Sequence, residues 1–346
     1  MLGSARFVTK KKYKPKCNFQ FPNACVVPSQ GVVGTCGISV LCNLIRVSIF
    51  AQSGRKATRT ITVLSKHLHT SKWRAAVQFW SIALLLPVVG PRVSSLIVLE
   101  FCLRAVSAKF SSRPDSDENA ELLLLQSQFS LGCGLSCTLL FLHQGAPNST
   151  YCLFLAAALS WALAGYCHNL WNHVARLFPL HSGERSCGKC VSLLTSGHSL
   201  LASLQRLVIL VFALAAVACA SIVRDNFFHQ TDALKLWTPL TLCYTLLLVY
   251  IQEGQRGQTP AEALLHNVLL RLGALLVLML TVGHWSDVLH VLLAVLGEAV
   301  CLLPSNDLLQ IAFQKECEDI HLQKIELSSR DRKRKHSSDV SSKSDR

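Results

Sequence analysis

Apolar residues along this chain come in blocks of about fifteen to twenty that are hydrophobic on every side, with polar and charged residues gathered between them. A helix that is apolar all round suits lipid or the middle of a helical bundle, whereas a soluble surface helix keeps one polar face. The pattern predicts nine candidate spans, over residues 31–50, 75–89, 93–108, 122–142, 151–170, 207–223, 236–251, 268–283 and 288–303. Gly90-Pro91-Arg92 separates the second from the third. A proline there removes a backbone donor and restricts the residue before it, so the pair reads as a tight hairpin or one sharply kinked element. No internal repeat is evident. The fold class expected is all-α, a polytopic transmembrane bundle of eight or nine spans over residues 31–303, between a basic segment (1–30) and a basic, largely disordered cytosolic tail (304–346).

Composition agrees. Of 346 residues, 51% are hydrophobic and 16% charged, against roughly 25% charged in an ordinary soluble domain. The net charge of +14 lies mostly in loops and tails, as the bias of cytosolic loops toward Lys and Arg requires, so no nucleic-acid partner is expected and the lipid bilayer is the first partner. Many of the fifteen cysteines sit inside apolar blocks, where Cys behaves as a small hydrophobe, and no disulfide framework is indicated.

Loop charge orients the spans. The connection 144–150 has no charge, while 172–205 carries Arg176, Arg185 and Lys189 and the tail is strongly basic. Uncharged loops belong outside and basic loops inside. The loop with Arg55, Lys56, Arg59, Lys66, Lys72 and Arg74 then falls inside. If residues 31–50 cross, however, the basic N-terminus lies outside, against the rule. Eight spans, with 31–50 lying in the interface or re-entering, resolve that conflict and keep both termini in the cytosol.

Several strings resemble the transmembrane protein 82 family of multi-pass membrane proteins. They are Val88-Val89-Gly90-Pro91-Arg92-Val93 running into Val98-Leu99-Glu100-Phe101 and Leu103-Arg104-Ala105-Val106-Ser107, then Ser130-Leu131-Gly132-Cys133-Gly134-Leu135, and Trp237-Thr238-Pro239-Leu240-Thr241 with Cys243-Tyr244-Thr245-Leu246-Leu247. The resemblance runs from about residue 31 to 303. It implies a multi-pass membrane topology and transfers no catalytic or binding residue.

Candidate chemistry therefore comes from the residues themselves. In the last span, Asp287, His290, Ala294, Glu298 and Cys301 fall on one helical face about 80° wide. Ionisable groups at membrane depth are costly and by default face the bundle interior, where they can relay protons or hold a cation. The plainer alternative caps the helix with Asp287 and lets Glu298 reach water near the cytosolic end. Glu100 and Arg104 stand four apart with the acid first, the favourable order for a helical ion pair; Glu100 is either a substrate or proton site, or simply a paired acid whose Arg104 snorkels to the surface. Glu100, Arg104, His290 and Glu298 form the candidate intramembrane polar site.

Thr238, Thr241 and Thr245 share a face beside Pro239 and either line a pathway or pack against a neighbour. Ser130, Gly134 and Thr138 make a small-residue face for close helix contact, within the chain or toward a membrane-protein partner or second copy. Cys187 and Cys190 have the spacing of half a zinc site, with His181 and His198 nearby, and no second pair in the loop completes it. Asn148-Ser149-Thr150 matches a glycosylation acceptor set too close to the next helix for modification. The basic run from Arg330 to His336, followed by Ser337 and Ser338, fits a topology determinant or a contact with anionic lipid. No nucleotide, dinucleotide or metalloprotease motif appears, so no cofactor is expected and an enzyme is the weaker reading. Passage of a small solute or ion leads, with a non-catalytic membrane scaffold or accessory subunit as the alternative.

Overall fold

The computed structural model describes residues 26–53, 72–111, 123–145, 149–181, 188–227, 268–277, 280 and 285–302. The described residues are helical: α1 (Val26–Ser53), α2 (Lys72–Ser111), α3 (Gln128–Gly145), α4 (Ser149–His181), α5 (Gly188–Phe227), α6 (Val268–Val277) and α7 (Trp285–Leu302). Five of them, α1, α2, α4, α5 and α7, are long and apolar enough to cross a membrane, and α3 and α6 are shorter apolar helices. Large side chains such as Tyr151, Phe154, Leu155, Leu159 and Leu163 stand exposed along α4. So broad an apolar surface is tolerable only where lipid covers it.

Helix α2 is interrupted once, at Gly90, whose φ of 76° and ψ of 157° are non-helical. Pro87 and Pro91 flank it, each without the amide that would continue the ladder. The two arms of α2 run in opposite directions along α7. On the first arm, Gln78 donates to the carbonyl of Val300 at 3.3 Å. At the break, Gly90 faces His290, and just beyond it Arg92 meets Asp287 at 3.6 Å. On the second arm, Glu100 reaches Glu298 through Arg271. Both outer ends of α2 thus lie level with the end of α7, and the break lies level with its start. The Gly90-Pro91 turn is where the chain doubles back, as its sequence signals.

Only glycine adopts that φ/ψ pair without strain. Gly90→Ala should therefore lower the unfolding free energy by about 1–3 kcal/mol, although the added Cβ would meet only His290 Nδ1 at an ordinary 3.6 Å. Equilibrium unfolding in mixed micelles checks this, and an unchanged midpoint would show that the break is not held at positive φ.

Residues 31–50, expected to lie in the interface or re-enter, belong to one of the five helices long and apolar enough to cross a membrane. They form the middle of α1, a continuous helix that packs against α2, α3, α4 and α5 and is among the most buried in the bundle. Gly31, Gly34 and Gly37 turn toward Ala83 and Pro87, Leu86 and Gly132, and Leu135 respectively, and this close approach on one side makes α1 a packed core helix. Two of its buried hydroxyls are satisfied by its own backbone, Thr35 donating to the Gly31 carbonyl and Ser48 to that of Ile45, both at 2.8 Å.

Cross-helix contacts give α1, α2, α3, α5 and α7 their directions. Gln30 lies beside Ser136 and Cys42 beside Gln128, so α1 and α3 are antiparallel. Phe212 stacks on Phe101 with centroids 4.5 Å apart and Ala215 faces Gly134, so α5 runs antiparallel to the second arm of α2. One end of the bundle gathers the start of α1, the Gly90 turn, the end of α3 and the start of α7. The other gathers the end of α1, both outer ends of α2, the start of α3 and the end of α7. The N-terminal segment therefore joins the bundle at the end that carries the uncharged connection 146–148.

Candidate functional site

Among the described residues, the buried charged side chains of α2, α6 and α7 gather at two levels. The deeper level lies one turn inside the end of α7. There Glu298, on the buried face of its helix, accepts two hydrogen bonds from one terminal nitrogen of Arg271, at 2.5 and 2.7 Å. Arg271 Nε stands 3.5 Å from Glu100 Oε1, and the same oxygen lies 3.7 Å from Arg104 Nε. Arg104 donates to Gln126 Oε1 at 2.6 Å and lies over the Phe101 ring at 5.1 Å. Arg271 and Glu298 are each 2% exposed and Glu100 is 7% exposed.

Local sequence explains the placement. Glu100 and Arg104 share a face because four residues is about one turn, and that face turns inward against α3. Gln126 is delivered by a helical turn at 123–126 that joins α3 at Ser127, where the Ser127 amide and hydroxyl both bond the Leu124 carbonyl, at 3.2 and 2.7 Å. Around the cluster, Cys42 of α1 donates to Gln128 Oε1 at 3.1 Å, and Phe129 packs on Gly297 of α7.

Among the described residues the cluster holds two carboxylates and two guanidinium groups. Arginine keeps its charge in proteins, whereas a carboxylate can accept a proton. An ion pair in so apolar a setting gains little net stability over packed apolar side chains, because desolvation offsets most of the attraction. The arrangement is better suited to binding or moving charge than to stabilising the fold.

The second level sits about 16 Å away, eleven residues earlier on α7 at 1.5 Å each. Asp287, buried in the first turn, pairs with Arg92, whose side chain is 33% exposed. His290 stands one turn further in, beside Gly90.

Of the stripe expected on this span, His290 is half-buried. Asp287, Ala294, Glu298 and Cys301 are all buried, on the face that packs against α2 and α3. Of the four candidate residues, Glu100, Arg104 and Glu298 meet in one cluster, and His290 does not join them but belongs with the Gly90 turn at the other level. Arg104 turns inward and does not snorkel, and Asp287 is buried with a partner. Arg271, Arg92 and Gln126 were not anticipated. Arg271 carried a readable signal, an arginine inside an apolar run, where a central charge costs about 2.5–3.5 kcal/mol and needs a partner.

The small-residue face is used within the chain. Gly132 lies against Ile38 and Leu86, Gly134 against Ala215, and Ser136 donates to the Gln30 carbonyl at 3.3 Å. The threonine face, Cys187, Asn148 and the basic tail lie outside the described residues, as does the side chain of Cys190, whose backbone opens α5. Among the described residues no group of three or more His, Cys, Asp and Glu side chains is placed to hold a metal. No solved structure matches the chain. The model of the family described as transmembrane protein 82 matches residues 25–323, the stretch that holds every described helix and both charge levels, and the chain belongs to that family.

Proposed function

We propose that this integral membrane protein passes a small solute or ion across the bilayer, with the Glu100–Arg104–Arg271–Glu298 cluster as the polar station of its path. The observation that carries the reading is the convergence of these four ionisable side chains from α2, α6 and α7 in the apolar interior, where ionisable groups mark ion and substrate pathways. The two levels support it, because charge pairs at opposite ends of a helix pair suit the inner and outer closures of a carrier, and the Gly90 break lies beside the first of them. The scaffold reading keeps the lack of a complete site as its motive, while the small-residue face that also invited a partner packs against the protein's own α1, α2 and α5.

Sidedness belongs to the same proposal. The connections 54–71, 112–122 and 182–187 and the tail leave from the end of the bundle nearer the four-charge cluster, and together they hold Arg55, Lys56, Arg59, Lys66, Arg113 and Arg185. That end faces the cytosol by the charge bias of cytosolic loops, so α1 crosses and the N-terminus lies on the opposite side.

The test is flux through the full chain reconstituted in lipid vesicles, read as isotope uptake or membrane current for sodium, potassium, chloride, phosphate, succinate and glutamate, with proton movement followed by an interior pH dye. At least one should move several-fold faster than in protein-free vesicles, and Glu298→Gln should cut that rate at least tenfold, about 1.4 kcal/mol or more on the barrier. Rates equal to protein-free vesicles for the whole panel would remove the proposal.

A further inference from the structure

Three aromatic rings stand at a depth where a bilayer offers little but hydrocarbon. Trp80 lies seven residues after Trp73 and ten before the Gly90 break of α2, and Trp161 lies eleven after Thr150 and fourteen before Ala175 on α4. At 1.5 Å per residue each is at least about 10 Å from either end of its span. The rings themselves confirm that the two positions share a level: Trp80 and Trp161 lie 6.4 Å apart between centroids, with Phe79 edge-on to both at 5.7 and 5.4 Å. Helix α4 and the first arm of α2 both pack on α1 and scarcely on each other, and the rings bridge the crevice between them. Trp80 is 52% exposed and Trp161 54%, so the crevice opens to lipid.

Tryptophan collects at the two membrane boundaries, where its indole N–H meets water or lipid carbonyls. Trp73 and Trp285, at the ends of their spans, follow that rule. Inside the hydrocarbon no water is present to accept a hydrogen bond, and a donor left unmet there is costly. Among the described residues, neither the Trp80 nor the Trp161 indole finds an acceptor.

We infer that this crevice binds a triacylglycerol, whose ester carbonyls accept from the two indoles while its acyl chains pack on the rings. Phospholipid esters cannot serve, because the headgroup holds them at the boundary. A sterol keeps its hydroxyl at the same boundary. A triacylglycerol has no charged or hydroxylated end to anchor it there, and it carries three ester carbonyls into the hydrocarbon. A quinone ring also brings two carbonyls, but rings set at 85°, 88° and 42° to one another include no parallel pair to hold a flat ring; flexible acyl chains fit walls set at such angles. The site draws on none of the charged residues of the cluster.

The experiment uses the full chain in phosphatidylcholine vesicles holding a trace of triacylglycerol with a diazirine on one acyl chain. After irradiation, label should concentrate on peptides from the first arm of α2 and from α4, and unlabelled triolein should suppress it several-fold. Squalene, which dissolves in the same layer without a carbonyl, should not. Trp80→Phe/Trp161→Phe keeps an aromatic ring at both positions and removes both N–H donors, so it should elute as a single species and take several-fold less label. Trp73→Phe, at the end of the arm, should label like the natural protein. Suppression by squalene as strong as by triolein overturns the inference, as does full labelling of the double variant. Stronger suppression by cholesteryl oleate or by a long-chain benzoquinone overturns the choice of a triacylglycerol, and label spread evenly over the lipid-facing helices overturns the site. The competition needs only the natural protein, so it decides the matter if the double variant does not fold.

Discussion

Arg271→Leu should be the most damaging single substitution in the bundle, lowering the unfolding free energy by about 3–5 kcal/mol, the range found when one partner of a buried ion pair is removed. The size follows from what stays behind. Glu298 would keep a carboxylate in a site 2% exposed, stripped of its 2.5 and 2.7 Å bonds, and Glu100 would lose its pair with Arg271 while keeping the one with Arg104. The double variant Arg271→Leu/Glu298→Leu removes both charges and leaves Glu100 paired with Arg104, so it should recover most of the loss and sit within about 1 kcal/mol of the natural protein. Equilibrium unfolding in mixed micelles measures both. If the double variant is as unstable as the single one, apolar packing at α6 and not charge pairing sets the cost; if the single variant unfolds like the natural protein, Arg271 is not held between the two glutamates. The same pair bears on function, because a variant that folds but carries no flux separates the role of the charges from their role in folding.

The contrast between the two halves of that cluster shows what a sequence of this kind reveals. The pairing of Glu100 with Arg104 is local, set by the helical repeat, and four-residue spacing is enough to see it. The burial of Glu298 is legible for a similar reason: the stripe from Asp287 to Cys301 repeats with the helical period. The partner of Glu298 is 27 residues away, and Arg271 reaches Glu100 across 171 positions of chain; which helices touch depends on how their surfaces fit, and periodicity within one helix holds no information about that. Apolar blocks locate the spans well, but α4 and α5 run on to His181 and back to Gly188, because backbone hydrogen bonding continues a helix after its apolar pattern has ended. Loop charge and helix packing bear differently on the first span. Loop charge argued against a crossing, yet Lys10 to Lys16 stand ten or more residues before α1, at the edge of the distance over which such charges weigh on topology, while the glycines at 31, 34 and 37 act directly at the helix contact.

Those glycines set the second large effect. At Gly31 an added Cβ would overlap the carbonyl oxygen of Ala83 and lie 2.9 Å from Pro87 Cδ. A flexible side chain can swing away from such a clash, but a backbone carbonyl and a proline ring cannot, so Gly31→Ala should push α1 away from the first arm of α2 at a cost of about 1–3 kcal/mol. Alanine is otherwise the better helix former by roughly 0.5–1 kcal/mol, so the same change where space is open should stabilise. Gly165 on α4 supplies that control, with nothing within 4 Å of the added atom. Unfolding midpoints should therefore move in opposite directions, down for Gly31→Ala and slightly up for Gly165→Ala. The Gly31 contact adjoins Pro87, three residues before the Gly90 turn, so the loosening should also reach the level where Arg92 meets Asp287 and His290. Faster amide exchange at the start of α7 in the Gly31→Ala protein, with the end of α7 unchanged, would show that α1 braces the turn; equal midpoints for the two alanine variants would mean that α1 and α2 do not approach so closely.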